Sequence, residues 1–585
     1  MGKSSRRKKN NLSRPVSGGR ITPPKTDHSQ PHVMVRDLTP IVRRSVHDAE
    51  ILEAAEKMDL NRIRAEALEG MFAVCDPVLL SGEGAQPHLE RLRLRLEAEA
   101  QLLVNKRSAF EWLWYLRRLR GQFNWNDLGT TDPYCQALAE ALCSMSTKPD
   151  PEMPTGGSFN MRFPIESEDI RDLLRLRGIV GLLYENHGTT RYAGKGSNIQ
   201  FTRAGGPIAV PTPALKRAVK LYDSRNADLH NLLANAGLAA DLTAEIEESN
   251  VLSVFMLAAW QPGLSVAPEW NGTLDTPLGF GFGAVDLAQI DILTNQQLPV
   301  HLRWPSPLPA LLALSLVPLH SFFADTKGLA DIFRRFGYFY ISREALLRLL
   351  EWSLHLLRMA DSHFVPVEVL PATPEEAMVD LLGVKISADP PTGGRILHQL
   401  GEALVVDLNA ASSALLRCLD RPVFDGAEVN EWSDTFEIHI QEIIDQSGWA
   451  PSANVAKLRT RTLRRGGIDL TDVDAIGEQG GVLLLVSCKS RPYNQAYDRG
   501  EYSEVRNVRT LAEESVGHWR FFVEDVDRNR VGDNYDFSRF TKIVGVVVLP
   551  FAPFVLEGPC TAETIEGLRW VSSSTELRGW SKDGA

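Results

Sequence analysis

An α-rich N-terminal body followed by a C-terminal α/β domain, with helices flanking a mixed central sheet, is the architecture this 585-residue sequence predicts. Three observations carry that expectation. Apolar residues recur at helical spacing through most of the chain, as in Leu346, Leu349, Leu350, Leu354 and Leu357. Val482 to Val486 is an unbroken apolar run of strand length, the mark of a strand covered on both faces. Around that run, segments of helix period and strand period alternate, which is the pattern of a sheet with helices packed on it.

Composition narrows the function. There are 63 Lys and Arg against 74 Asp and Glu, a formal net charge of -11, so a globally basic nucleic-acid coat is excluded and phosphate contacts must come from local patches. Hydrophobic content of 44% and charged content of 23% are those of a globular chain, not a disordered one. Six cysteines without a C-x-x-C pair exclude a disulfide scaffold and the usual zinc spacings, and fit a reducing compartment. The basic N-terminus has no apolar run behind it, unlike a secretory signal. The most apolar stretch, Leu308 to Leu319, is broken by Pro309 and Pro318 and is shorter than the ~20 residues of a spanning helix. A soluble, cytoplasmic protein without a membrane partner is expected.

Residues 1–35 carry Lys, Arg, Ser, Pro and Gly and too few apolar groups to offset ordering entropy, so they read as a disordered basic tail. A helical domain is expected over 36–145, where Leu89, Leu92, Leu96, Leu103, Phe110, Leu113 and Leu116 follow a period near 3.6. Trp112, Trp114, Tyr115 and Trp125 can stack bases but read first as core. Three prolines and two glycines mark 146–162 as a linker. An α-rich body is expected over 163–425, without a repeat period. Within it, Gly188 to Pro207 reads as an exposed loop in which Arg191, Lys195 and Arg203 are potential phosphate donors. A P-loop is excluded because Lys195 precedes Gly196.

The pattern changes in 426–585. Phe436, Ile440, Ile443 and Ile444 form one apolar helix face, flanked by Glu437, Gln441 and Asp445, with Ser433 or Asp434 as the expected cap. A strand-like stretch follows that holds Lys457, Arg459, Arg461, Arg464 and Arg465 and no acid before Asp469. Then come a strand with Asp472 and Asp474, a tight turn at Glu478 to Gly481, and the apolar strand ending in Ser487, Cys488 and Lys489. A helix and a last apolar strand, KIVGVVVLPF, complete the order helix, three strands, helix, strand.

In this order of elements, and in Glu437, the D-V-D-A-I containing Asp474, and the S-C-K ending in Lys489, the last quarter resembles the PD-(D/E)XK nuclease superfamily. The resemblance implies a restriction-endonuclease-like domain that hydrolyses phosphodiester bonds with Mg²⁺ or Mn²⁺. It implies Asp474, Lys489 and Glu437 as catalytic residues, and Asp474 and the backbone carbonyl of Cys488 as metal ligands; Asp472, two residues before Asp474 and so on the same face of a strand, is a further candidate ligand. The chemistry agrees: hard Mg²⁺ takes oxygen ligands, and such an ion lowers the pKa of bound water. Lys489 would orient that water and offset developing negative charge. Lys457, Arg459, Arg461, Arg464 and Arg465 would hold the nucleic-acid backbone. The sequence departs from the family pattern at Ser487, where an acid is usual.

The functional expectation is therefore a metal-dependent DNA endonuclease of restriction or phage-defence type. Its alternative is a catalytically weak or inactive nuclease-like protein that binds nucleic acid or serves as a scaffold. RNA stays open as a substrate, as does a homodimer or partner protein held through the helical body.

Overall fold

The computed structural model describes residues 34–37, 46–118, 133–153, 158–226, 253–260, 279–286, 304, 306–317, 336–359, 365–389, 391–420 and 428–583. Residues 1–33 of the expected tail and Trp125 lie outside them. The chain mixes helices with several small sheets, and no described helix is long and apolar enough to cross a membrane.

In chain order the body comprises β1 (Met34–Asp37), α1 (Val46–Ala67), β2 (Val78–Leu80), α2 (Gly82–Val104), α3 (Ala109–Arg118), α4 (Pro133–Ser144), β3 (Ser158–Met161), α5 (Ser167–Gly194), β4 (Asn198–Phe201), β5 (Ile208–Val210) and α6 (Pro213–Arg225). It continues with β6 (Ser253–Trp260), β7 (Gly279–Asp286), α7 (Leu308–Leu316), β8 (Tyr338–Ser342), α8 (Arg343–Met359), α9 (Pro374–Leu382), β9 (Leu397–Leu400), β10 (Ala403–Asp407) and α10 (Leu408–Asp420). Local signals set the helix starts. The Ser81 hydroxyl accepts from Gly84 N at 3.4 Å before α2, and Thr212 accepts from Leu215 N at 3.2 Å before α6, whose first residue is Pro213.

The antiparallel sheet β8–β10–β9 divides the body into two cores, because alternate residues of a strand face opposite sides. Tyr338, Tyr340 and Val405 pack with α1–α5, whereas Phe339, Ile341, Leu404 and Val406 pack with α7–α10. The apolar stretch from Leu308 is the buried helix α7. Trp112, Trp114 and Tyr115 are buried, as core aromatics are.

Two expectations about the body change. Residues 146–162 are not a spacer: Met153 and Met161 are buried in the α1–α5 core, and Met153 N donates to Leu400 O at 3.3 Å, so the segments on either side share one core. Gly188 to Pro207 is not a loop either. α5 runs through Gly194, and Lys195 is buried, its ammonium 4.2 Å from the centre of the Tyr222 ring. The desolvated ammonium is pushed down to about 7 by burial first and by Arg191 second.

The C-terminal domain contains α11 (Glu428–Asp445), α12 (Ala453–Ala456), β11 (Thr462–Arg465), β12 (Ile468–Asp472), β13 (Ala475–Gln479), β14 (Val482–Cys488), α13 (Gln495–Arg499), α14 (Tyr502–Arg528), β15 (Lys542–Leu549), β16 (Glu563–Ile565), β17 (Leu568–Arg569), β18 (Val571–Ser573) and α15 (Ser574–Asp583). Its main sheet has the order β13–β14–β15–β18, with β13 antiparallel to β14 and the other neighbours parallel. Leu484, Val486 and Cys488 face α11, while Leu483 and Leu485 face α14. Helix α14 approaches β15 at Gly545, where a Cβ would lie 2.5 Å from Val523 Cγ2.

The expected Lys457–Asp469 strand is instead the short helix α12, a turn, and the hairpin β11–β12, closed by Gly466 and Gly467 at φ +60° and +76°. Two successive residues of positive φ make the hairpin turn that glycine favours. Helix α11 begins at Glu428, so Ser433 and Asp434 lie inside it and do not cap it.

Helix α6 belongs to the C-terminal core despite its distance in sequence. Tyr222 packs on Phe554 and Tyr497, and Arg225 makes two hydrogen bonds of 2.8 Å to Glu576. Asn226 exchanges hydrogen bonds with the Ala552 backbone, at 2.9 Å to its oxygen and 3.1 Å from its nitrogen.

Candidate active site

The β13–β14 hairpin brings Asp474, Ser487, Cys488 and Lys489 to one end of the sheet. Asp474 sits between β12 and β13, its N–H donating to Val486 O at 3.2 Å. Cys488 N donates to Asp474 Oδ2 at 2.6 Å. Lys489 follows the last residue of β14, two residues after Ser487, and its Nζ donates to Ser487 Oγ at 3.1 Å. Ser487 also lies near enough to Asp474 to oppose the rise of its carboxyl.

Helix α11 supplies Glu437. Gln441, one turn further along, pins the helix to the edge of β13: Ile476 N donates to Gln441 Oε1 at 2.9 Å, and Gln441 Nε2 donates to Ile476 O at 3.0 Å. At the other end, Trp432 Nε1 donates to Ser490 O at 2.6 Å and the Ser433 and Ser490 hydroxyls hydrogen-bond to each other. Clamped beside Asp474 and beyond Lys489, the helix holds Glu437 within the electrostatic reach of both. Gln441, Trp432 and Ser490 were not among the site residues expected. The signal for Gln441 was its place four residues after Glu437, on the same helix face.

Both carboxyls are shifted in the same direction. Burial pushes Glu437 up to about 7, and the Asp474 and Asp434 carboxylates add to it while Lys489 opposes it. Burial also raises Asp474, against the hydrogen bond from Cys488 N and the charge of Lys489. Cys488 is buried, and burial with the neighbouring carboxylates holds its thiol far above the usual range, which makes it an inert core group rather than a nucleophile.

A pH dependence follows. Folded chain retains a proton on Glu437 that unfolded chain releases between pH 4.5 and about 7, so without divalent metal this group's contribution to stability falls as pH rises through that window. Glu437→Gln should flatten the slope and raise the melting temperature at pH 8 in EDTA. Melting curves of both proteins from pH 5 to 8 check this; parallel curves would refute it.

The remaining expected residues divide. Asp472, exposed on β12, accepts from the Thr462 hydroxyl and adds its charge to the fields at Asp474 and Glu437. The five cations do not form one basic strand. Arg459 pairs with Asp445 at 2.5 Å, Arg464 with Asp469 at 2.6 Å and Arg465 with Asp525 at 2.7 Å. Lys457 and Arg461 are exposed, and among the described residues neither has a carboxylate partner. The cationic surface beside Asp474 is therefore smaller than the sequence implied.

The donor set suits a hard divalent cation. Two crowded carboxyls whose burial disfavours their charge gain from a cation between them, and Mg²⁺ is held by one or two carboxylates with waters completing its shell. Among the described residues, no three His, Cys, Asp or Glu side chains lie close enough to cage a metal. Asp474 and Glu437 are then the charged ligands available, with the Cys488 carbonyl as a neutral one and Asp472 at the rim.

Compared with known proteins, the chain matches no family model, no curated protein and no solved structure.

Proposed function

We propose that the C-terminal domain is a PD-(D/E)XK-type, restriction-endonuclease-like nuclease that hydrolyses DNA with Mg²⁺ or Mn²⁺, in a defence or restriction role. The observation that carries this reading is the convergence of Asp474, Glu437 and Lys489 at one end of β14, with the Lys489 ammonium held by Ser487. The order of elements from α11 to β15 supports it, with the added hairpin strand as an elaboration.

Asp474 and Glu437 would hold the metal, which supplies a Lewis acid for the phosphate and an acidified water. Lys489, its ammonium anchored on Ser487 Oγ, places a positive charge and N–H donors where the attacked phosphate gains negative charge. With a cation beside it, Glu437 would be held as a carboxylate, because the ion and Lys489 oppose the burial and the neighbouring acids that raise it. Lys457 and Arg461 would contact the nucleic-acid backbone, a term that weakens with salt.

Plasmid cleavage with Mg²⁺ or Mn²⁺ tests the reading. Wild type should nick or linearise DNA and stop in EDTA, and Asp474→Ala and Lys489→Ala should each lose about 10²–10³-fold. Equal nicking by all three proteins would defeat it. The hydroxyl at Ser487 favours a second reading, in which the domain binds nucleic acid without cutting. Salt-sensitive DNA binding that survives Asp474→Ala, with no cleavage under any metal, would select that one.

A further inference from the structure

A cavity of about 470 Å³ lies apart from the candidate active site, in the seam where the body meets the turn between α13 and α14. Its size is that of a small-ligand pocket. One face of α2 and one face of α5 form its sides, and Tyr134, Asp389 and the Arg499–Glu501 turn complete it. Gln86 of α2 holds that turn in place, donating to Gly500 O at 2.7 Å and accepting from Tyr502 N at 2.9 Å.

Its charge is unbalanced. Glu83, Glu90, Glu97, Asp389 and Glu501 line it against the guanidiniums of Arg93 and Arg499. Both guanidiniums are engaged: Arg93 binds Glu90 at 2.6 and 2.8 Å and Glu97 at 2.5 Å, and Arg499 binds Glu501. Among the described residues, the groups that can pair with the Asp389 carboxylate are Arg93 Nε at 3.7 Å and, when protonated, His187 Nδ1 at 3.8 Å. Burial raises both Glu97, against its ion pair with Arg93, and Asp389, against the charges of Arg93 and Arg499.

The other walls suit an organic ion better than a metal. Tyr134 lies with its ring tilted against His187, centroids 5.0 Å apart, and Leu138 and Leu183 offer apolar surface. Aromatic faces attract organic cations. Asn186, also in the wall and almost fully buried, donates through Nδ2 to Leu89 O at 3.1 Å, while its Oδ1 has no hydrogen-bond partner among the described residues. The acids are spread along the cavity, and no metal-caging cluster occurs among the described residues.

We propose that this cavity binds a small organic cation, an amine or guanidinium compound on a short carbon skeleton, anchored by Asp389 and Glu97. The site is independent of the nuclease reading. Its occupant would touch body and C-terminal domain at once, since the Arg499–Glu501 turn is one wall.

Isothermal titration of the full chain with putrescine, spermidine and agmatine tests the proposal. One saturable site is expected for at least one of them. Asp389→Asn and Glu97→Gln should each weaken it at least tenfold, with circular dichroism showing that the variants remain folded. Lys489→Ala and the exposed Glu344→Gln should leave it unchanged. Absence of saturable binding by all three amines would overturn the proposal. So would binding that both cavity variants retain, or that Glu344→Gln weakens as much as they do.

Discussion

Arg117→Ala is expected to destabilise the body by about 3–5 kcal/mol, the range for breaking a buried ion pair from one side. Arg117 has no exposed side-chain surface, and its Nη2 donates to Glu140 at 2.8 Å and to Asp407 at 3.0 Å, carboxylates that are 1% and 0% exposed. Its Nη1 reaches Phe336 O at 3.3 Å. Removing the guanidinium leaves two carboxyls facing each other without water. Asp407 is already raised by burial despite Arg117 and despite accepting from Asn409 N and Ala410 N at 3.0 and 3.1 Å. The orphaned carboxyls would need protons, so the deficit should widen as pH rises and shrink in acid. The exposed pair Arg62–Glu66 is the contrast: solvent screens it, so Arg62→Ala should shift the unfolding midpoint far less. Urea unfolding of the full chain, read by tryptophan fluorescence, measures both. Equal midpoints for the two variants would show that the buried network contributes no more than a surface pair.

Ser487→Glu should create a site whose stability depends on metal. The hydroxyl accepts from Lys489 and lies near enough to Asp474 to influence its carboxyl, so a carboxylate there adds a second negative charge beside Asp474. Two such charges at ~4 Å repel by about 4 kcal/mol at an effective dielectric of ~20, and the nearby Lys489 offsets part of that. The variant should melt below wild type in EDTA and recover much of the difference in Mg²⁺, because an ion that binds only the folded chain stabilises it. If the domain cleaves DNA, the second acid should also raise the Mg²⁺-dependent rate. A melting temperature that ignores Mg²⁺ would show that this end of β14 is not a cation pocket.

How much of this was legible depends on the range of the interactions involved. Helix α11 follows from periodicity, which records which face of a segment is buried, while β14 and the buried run of Leu308 to Leu316 follow from unbroken apolar sequence. The split of the basic stretch was also present, in Gly466-Gly467, a turn signal outweighed by the alternating residues around it. The fate of the cations was not. Arg465 is taken by Asp525, a residue of α14 sixty positions away, and Arg459 by Asp445 of α11. No spacing rule reaches that far. The prolines and glycines of 146–162 suggested a spacer, but Met153 and Met161 fill the body core because β9 and the neighbouring helices close over them.

The sequence by itself determined the local conformations and the chemical kinds available: a helix bearing Glu437, an aspartate at a strand junction, and a lysine at the end of an apolar strand, because these depend on neighbours a few residues away. Only the tertiary structure decided that Gln441 clamps the helix to Ile476, that the Cys488 N–H holds the Asp474 carboxyl, and that α6 packs into the C-terminal core. Those outcomes rest on contacts between distant segments, whose geometry is set by how whole helices and sheets fill space together.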